Sequence, residues 1–314
     1  MIDVHAHFIP PAVLDWVRQH ADALDARWEQ RDPAKAPFLT VGGKWAFELK
    51  PAFHDADLFL ADQQRAGVRH SLVSPVPQLF LYDAEPALTR ELARLCNDEL
   101  AAWCDEQADR LSGLATLPLN APEDAAAELS RARERGLLGA IVGPGCGDRL
   151  LSDPAFAPLW ETADRLEAVL FLHPLLSQDP RLRRPQMPNL IGVLWETTVT
   201  LTDLILSGLL DRYPRVKLLV AHGGGFLPYQ IGRLDQGYRV WPVVRGSLKA
   251  PPSTYLRRLW FDTVVWTPEA LQLLLDVAGP ERVAPGSDYP FDLSVWPPLG
   301  EGTRGAETLL ARTP

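Results

Sequence analysis

His5 and His7 flank a single residue in the opening stretch Ile2-Asp3-Val4-His5-Ala6-His7. Ile2 and Val4 alternate with polar residues, which is the pattern of a β-strand. Side chains two apart on a strand share one face, so the two imidazoles point the same way. At about 7 Å spacing they can converge on one metal ion. Three later stretches carry matching chemistry. His173 ends the apolar run 168–173 and precedes Pro174. His222 ends the run 216–222 and is followed by Gly223, Gly224 and Gly225, which let backbone approach a ligand closely. Asp288 lies in Gly286-Ser287-Asp288-Tyr289-Pro290. Together His5, His7, His173 and Asp288 make an imidazole-rich set with one carboxylate. Such a set suits zinc and leaves room for water or substrate, although manganese, iron and cobalt accept the same ligands. His222 fits either a further ligand or an acid/base that moves protons near neutral pH, and the second role is the better match.

These residues cooperate only if the fold gathers them. From residue 55 onward, helix and strand patterns alternate. Helices are expected over 55–66, 85–109, 122–135, 154–166, 197–210, 226–237 and 268–277. Strands are expected over 70–74, 114–117, 138–142, 168–173, 216–222, 259–263 and 282–288. The opening strand makes eight. Several of these runs are apolar on both faces, as in a parallel sheet covered on both sides. Eight such units predict an α/β fold, a (β/α)8 TIM barrel in one domain spanning 1–314. An open doubly wound sheet is the alternative. Residues 10–52 break the alternation and read as an insertion after the first strand, a lid or small hairpin. A TIM barrel places its active site at the carboxyl ends of its strands. His5, His7, His173, His222 and Asp288 all fall there. Glu196 and Asp262 also fall near barrel ends, where either could orient a ligand by a hydrogen bond.

Composition narrows the function. The chain has 314 residues and a formal net charge of -9, which disfavours a nucleic-acid surface. The three cysteines, Cys96, Cys104 and Cys146, form no CxxC pair and predict no disulfide framework. Cys146 lies in a glycine-rich loop and is only a minor candidate nucleophile. No apolar run reaches ~18 residues, so no membrane span is expected. The amino terminus lacks the basic and apolar segments of a signal peptide. A cytoplasmic location is the expectation. None of the five lysines falls at the end of a middle strand, which argues for one metal rather than a pair bridged by a modified lysine. His20, His54 and His70 lack a matching context and read as structural.

The stretches IDVHAHFIPP, FLHP, WETT, VAHGGGFLPYQIGRLDQGY and GSDYPF resemble the metal-dependent amidohydrolase superfamily. More narrowly, they resemble its aminocarboxymuconate-semialdehyde decarboxylase branch. Ser74-Pro75-Val76-Pro77 and the long helix with Asn97 are similar too. The likeness runs from residue 1 to about 293. It implies a distorted TIM barrel with one divalent metal, usually zinc, held by His5, His7, His173 and Asp288. His222 would be the acid/base, and a homodimer is implied. Many members of the branch remove a carboxylate as carbon dioxide, so the expected substrate is a small unsaturated or aromatic carboxylic acid.

Two departures concern the substrate. Where the branch carries an arginine before the proline that follows the HG-motif helix, this chain has Trp241, with Arg239 two residues earlier. Around 44–49 the insertion offers Lys44 rather than an arginine. Arg239, Arg245, Trp241 and Lys44 are the expected substrate-binding residues, with Arg183 and Arg184 as weaker cationic candidates. In the expected mechanism the metal lowers the pKa of a bound water. His222 takes its proton and later returns one to carbon, and Asp288 can share the proton work. The rival enzyme reading is a metal hydrolase of a lactone, amide or ester using the same site. A binding protein on a retired barrel is a third reading.

Overall fold

The structure is a computed structural model that describes residues 1–43, 45–300 and 303–311. β1 (Ile2–His7) enters the core at once and is buried from Asp3 onward. The insertion follows. It comprises α1 (Pro11–Gln19) and an antiparallel sheet of β2 (Arg27–Glu29), β3 (Phe38–Val41) and β4 (Trp45–Glu48), in the order β2-β3-β4. Pro11 starts α1 at the position where a missing N–H is harmless.

Regular alternation then sets in. α2 (Ala56–Arg65), β5 (His70–Ser74), α3 (Pro86–Glu106), β6 (Leu111–Gly113), α4 (Pro122–Glu134) and β7 (Gly139–Val142) come first. A two-strand ribbon, β8 (Gly145–Cys146) and β9 (Arg149–Leu150), precedes α5 (Ala157–Arg165) and β10 (Val169–Leu172). Next come α6 (Val193–Leu206), α7 (Leu209–Arg212), β11 (Lys217–Val220), α8 (Leu227–Val240), α9 (Pro242–Arg245) and α10 (Pro252–Leu256). β12 (Trp260–Asp262), α11 (Pro268–Ala278), β13 (Val283–Ala284) and α12 (Gly305–Leu310) complete the chain.

Two parallel sheets, β1-β5-β6 and β13-β12-β11-β10-β7, supply eight strands. Two seams close them into a ring. At one, Ala6 bridges Tyr289 and Val4 N–H donates to Pro285 O at 2.8 Å. At the other, Ala115 bridges Ala140 and Leu138 N–H donates to Gly113 O at 2.9 Å. The expected TIM barrel is therefore present. β10 is apolar throughout because both its faces are covered, and all four of its residues are buried.

The boundaries moved where side chains or special residues displaced ladder bonds. The strand expected at 114–117 ends at Gly113. Beyond it the buried Asn97 amide takes the main chain, accepting from Thr116 N–H (2.8 Å) and donating to Thr116 O (3.0 Å). The last strand stops at Ala284 because Pro285 has no N–H to give. The helix expected at 197–210 begins earlier, after a π-turn at Pro188–Gly192, and Gly208 at φ 70° separates it from α7. This helical run, 188–206, is long and apolar enough to cross a membrane by length and composition alone. It carries Glu196 and Asp203, however, and Thr197, Thr200, Leu201, Leu204 and Ile205 are buried against the barrel.

Candidate metal centre

Three imidazoles are held by the same device. His5 Nδ1 lies 2.5 Å from Asp262 Oδ2, His7 Nδ1 lies 3.1 Å from Pro75 O, and His173 Nδ1 lies 2.9 Å from Pro174 O. The carbonyls and the ionised carboxylate can only accept, which assigns the ring proton to Nδ1 and leaves each Nε2 with a bare lone pair. Ser74 Oγ donates to Ala6 O (3.4 Å), so it also faces His7 Nδ1 (3.2 Å) as an acceptor. The bare atoms converge. His5 Nε2 and His7 Nε2 are 3.0 Å apart, and Asp288 Oδ1 lies 3.3 Å and 3.1 Å from them. His173 Nε2 and Asp288 Oδ1 are buried with no hydrogen-bond partner. Lone pairs packed against each other and a carboxylate repel unless a cation sits between them. Imidazole and carboxylate are the donors a divalent ion takes. The residues therefore fit a metal ion. Ligand atoms of His5, His173, His222 and Asp288 all lie within 4.8 Å of one another. His7 falls outside that mutually close set but touches both His5 and Asp288.

Charge follows the same logic. Burial pulls the His5 imidazolium down, but Asp288 and Asp262 outweigh it and push its pKa up to about 10. The bare Nε2 of His5 belongs to the metal-bound state; without a metal, a proton on that atom would take the ion's place between His7 and Asp288. Burial and the neighbouring imidazoles hold His173 well below the usual histidine range. Burial favours the neutral acid at Asp288, yet His5, His222 and His7 together keep it well below the usual carboxylate range.

The loops that carry these groups are strained and clamped. His222 (φ 53°), Asp288 (φ 61°) and Trp266 (φ 60°) are non-glycine residues with left-handed backbone, a conformation that persists where surroundings enforce it. Asp262 supplies much of that enforcement. Its carboxylate accepts from His222 N–H (2.9 Å) and Gly223 N–H (2.8 Å) while it also orients His5. One carboxylate thus aligns β1 with the loop after β11. At Gly225 (φ 64°) a Cβ would stand 2.4 Å from Leu194 O, so only glycine lets the loop pass α6. Asp3, which carried no signal in the sequence, ties the other side. It accepts from Ser287 Oγ (2.6 Å) and from His5 N–H (3.0 Å), fixing the turn before Asp288. Of the two acidic residues expected to orient a ligand, Asp262 does so, and Glu196 faces a separate cavity.

His173, His222 and Asp288 line a cleft of about 680 Å³. The insertion closes one side of it with Arg31, Phe38, Trp45 and Phe47, and Trp266 and Phe291 close another. Trp266 stacks on His222 at 6.3 Å and 10°. Arg31 is the only arginine or lysine among the described lining residues. Its guanidinium lies 4.2 Å from the Phe38 ring centroid and bonds Glu29 at 2.8 Å. It sits in a charged run without a motif, so nothing in the sequence singled it out.

The expected substrate residues lie elsewhere. Arg239 bonds Gln236 at 2.6 Å and Arg245 donates to Arg239 O at 3.4 Å, both on the surface. Trp241 is 58% exposed. Arg183 donates to Pro180 O, and neither it nor Arg184 lines the cleft. Within one chain the fold brings none of these to the metal centre. Lys44 lies outside the described residues. Cys146 lines the separate cavity, and burial raises its thiol pKa, which does not suit a nucleophile. Burial pushes Cys96 and Cys104 up to about 12.

Comparison with known proteins gives the family. A family model described as Amidohydrolase matches residues 2–310, and the chain belongs to that family. The 2-amino-3-carboxymuconate-6-semialdehyde decarboxylase of Dictyostelium discoideum is 32% identical over 309 residues, which cover 96% of this chain and 82% of that protein. The crystal structure of 5-carboxyvanillate decarboxylase from Sphingomonas paucimobilis is 26% identical, with a TM-score of 0.79 over 99% of this chain and 93% of the other. A dihydroxybenzoic acid decarboxylase from Polaromonas sp., 24% identical with a TM-score of 0.73, covers 92% of this chain and 86% of its own; that structure holds manganese and the inhibitor 2-nitroresorcinol.

Proposed function

We infer that the protein is a non-oxidative, metal-dependent decarboxylase of a small unsaturated or aromatic carboxylic acid. The observation that carries this is the convergence of bare Nε2 atoms on Asp288 in a chain whose relatives are decarboxylases. His5, His7, His173 and Asp288 are the proposed ligands, and zinc is the proposed ion because imidazole-rich, low-coordinate sites favour it. When bound, that ion supplies Lewis acidity, anchoring a substrate oxygen and stabilising the negative charge left as carbon dioxide departs.

His222 is the proposed acid/base. Its Nδ1 has no hydrogen-bond partner, whereas each of the three imidazoles above has Nδ1 tied to an acceptor. An untied ring can change tautomer and carry a proton. Its Nε2 lies 3.5 Å from Asp288 Oδ2, so the two can share that proton. The carbon–carbon bond to the carboxylate breaks and its electron pair stays on the substrate carbon. His222 returns a proton there, giving R–H and carbon dioxide. Phe291, Trp266 and the insertion line the cleft, and Arg31, which also bonds Glu29, is the proposed partner of an anionic substrate group.

The proposed form is a cytoplasmic homodimer. Three free cysteines suit a reducing compartment. Val240, Trp241 and Val243 leave an apolar patch on α8 and α9, with Val243 85% exposed, and a second copy of this chain would cover it. Arg239, Arg245 and Trp241 keep their proposed substrate role only across such an interface.

The test is His222→Ala, assayed for bound metal and for turnover. The expected variant keeps its metal and loses turnover by at least 100-fold. Loss of the metal would make His222 a ligand instead.

A further inference from the structure

Beside the metal cleft lies a second, larger cavity of about 900 Å³. The two share Trp45, Pro77 and Leu176 as walls. Either volume alone suits a whole small-molecule ligand. A one-ring acid anchored at the metal centre would leave the second cavity unfilled.

Its wall carries a specific polar group. Gln78, one residue beyond the shared Pro77, is 7% exposed, and neither its Oε1 nor its Nε2 has a hydrogen-bond partner. Native proteins keep few such groups, because each unpaired buried donor or acceptor costs free energy. The segment bearing it is anchored to the metal centre, since Pro75 O holds His7 Nδ1. Trp45, Phe80, Tyr82 and Trp195 supply aromatic surface, with Phe80 and Tyr82 stacked at 5.3 Å. The charge is one-sided. Asp22, Asp25, Asp148, Asp179 and Glu196 line the cavity against Arg149 alone among the described lining residues, and Asp83, which also lines it, has an interaction partner of its own. Arg27 and Arg181 offset Asp25 and Asp179. That balance opposes an anionic occupant.

We propose that this second cavity is a specificity site for a neutral, largely apolar extension of the substrate acid, one that carries an amide recognised by Gln78. The inference rests on the decarboxylase reading of the adjoining cleft. It narrows the substrate class to acids with a long uncharged tail and separates them from dicarboxylates.

The experiment compares carbon dioxide release by metal-loaded protein from three acids. They are 2-hydroxybenzoate, its 4-(N-benzylcarboxamide), and a 4-substituted derivative with a tail of equal length ending in a carboxylate. The parent is expected to favour the amide-tailed acid over the carboxylate-tailed one at least tenfold in kcat/KM. Gln78→Leu removes about tenfold of kcat/KM on the amide-tailed acid, the worth of a good hydrogen bond. Cys146→Trp, which fills the cavity from another wall, does the same. Both leave 2-hydroxybenzoate unchanged. Equal turnover of the two tailed acids, or a uniform fall on all three, overturns the proposal. Calorimetric binding of the decarboxylated products, phenol and 3-hydroxy-N-benzylbenzamide, separates the two claims. A Gln78-dependent preference for the amide without carbon dioxide release keeps the cavity assignment and refutes the decarboxylase. Equal binding of both phenols alongside carbon dioxide release refutes the cavity assignment alone.

Discussion

Asp262 has three tasks within one carboxylate: it fixes the His5 tautomer, and it holds the His222 and Gly223 amides. Replacing it with Asn keeps the size but cannot accept at both ends. One oxygen must become an NH2 that faces a donor. Either His5 loses its orientation or the loop after β11 loses a clamp. Partners of this kind typically contribute 10–100-fold to metal affinity. Asp262→Asn is expected to weaken metal binding by that amount in a competition titration with a chelator. Unchanged affinity would mean that packing alone orients His5.

Among the elements, the seam between β6 and β7 depends on a side chain. Asn97 of α3 bonds both main-chain groups of Thr116 and the Glu128 carboxylate (2.7 Å). Asn97→Ala strands several buried polar groups and is expected to lower stability by about 3 kcal/mol in chemical denaturation. A loss under about 1 kcal/mol would show that water takes over those bonds. The same seam explains what the sequence could and could not tell. Apolar runs ending in His173 and His222 were readable because covered parallel strands must be apolar and an active site must be polar. The third strand was displaced because a side chain captured its backbone, which periodicity does not encode. The insertion was legible only as an interruption. Its β2–β4 sheet has no strong alternation, so Arg31 could not be placed against the cleft. Motif position points to Trp241 and the nearby arginines, but it does not say which surface a helix end will face.

At the scale of the whole molecule, the barrel gathers five polar side chains from strand ends that run from His5 to Asp288, and the Asp3–Ser287 bond likewise joins residues 284 apart in sequence. Its outer surface leaves Val240, Trp241 and Val243 bare. Val243→Asp places a charge in the patch and is expected to convert a sedimenting dimer to a monomer. A parent that sediments as a monomer at micromolar concentration would remove the proposed route by which Arg239 and Arg245 reach a substrate.

Carbon–carbon cleavage is read directly by a solvent-label experiment. Metal-loaded protein is given 2,6-dihydroxybenzoate and related aromatic and muconate-type acids in D2O, with carbon dioxide and product analysed together. The expected result is one carbon dioxide per product, with one deuterium on the carbon that bore the carboxylate, and neither in His222→Ala. Protein that holds its metal, releases no carbon dioxide from any acid, and instead opens lactones or esters with incorporation of solvent oxygen would contradict it.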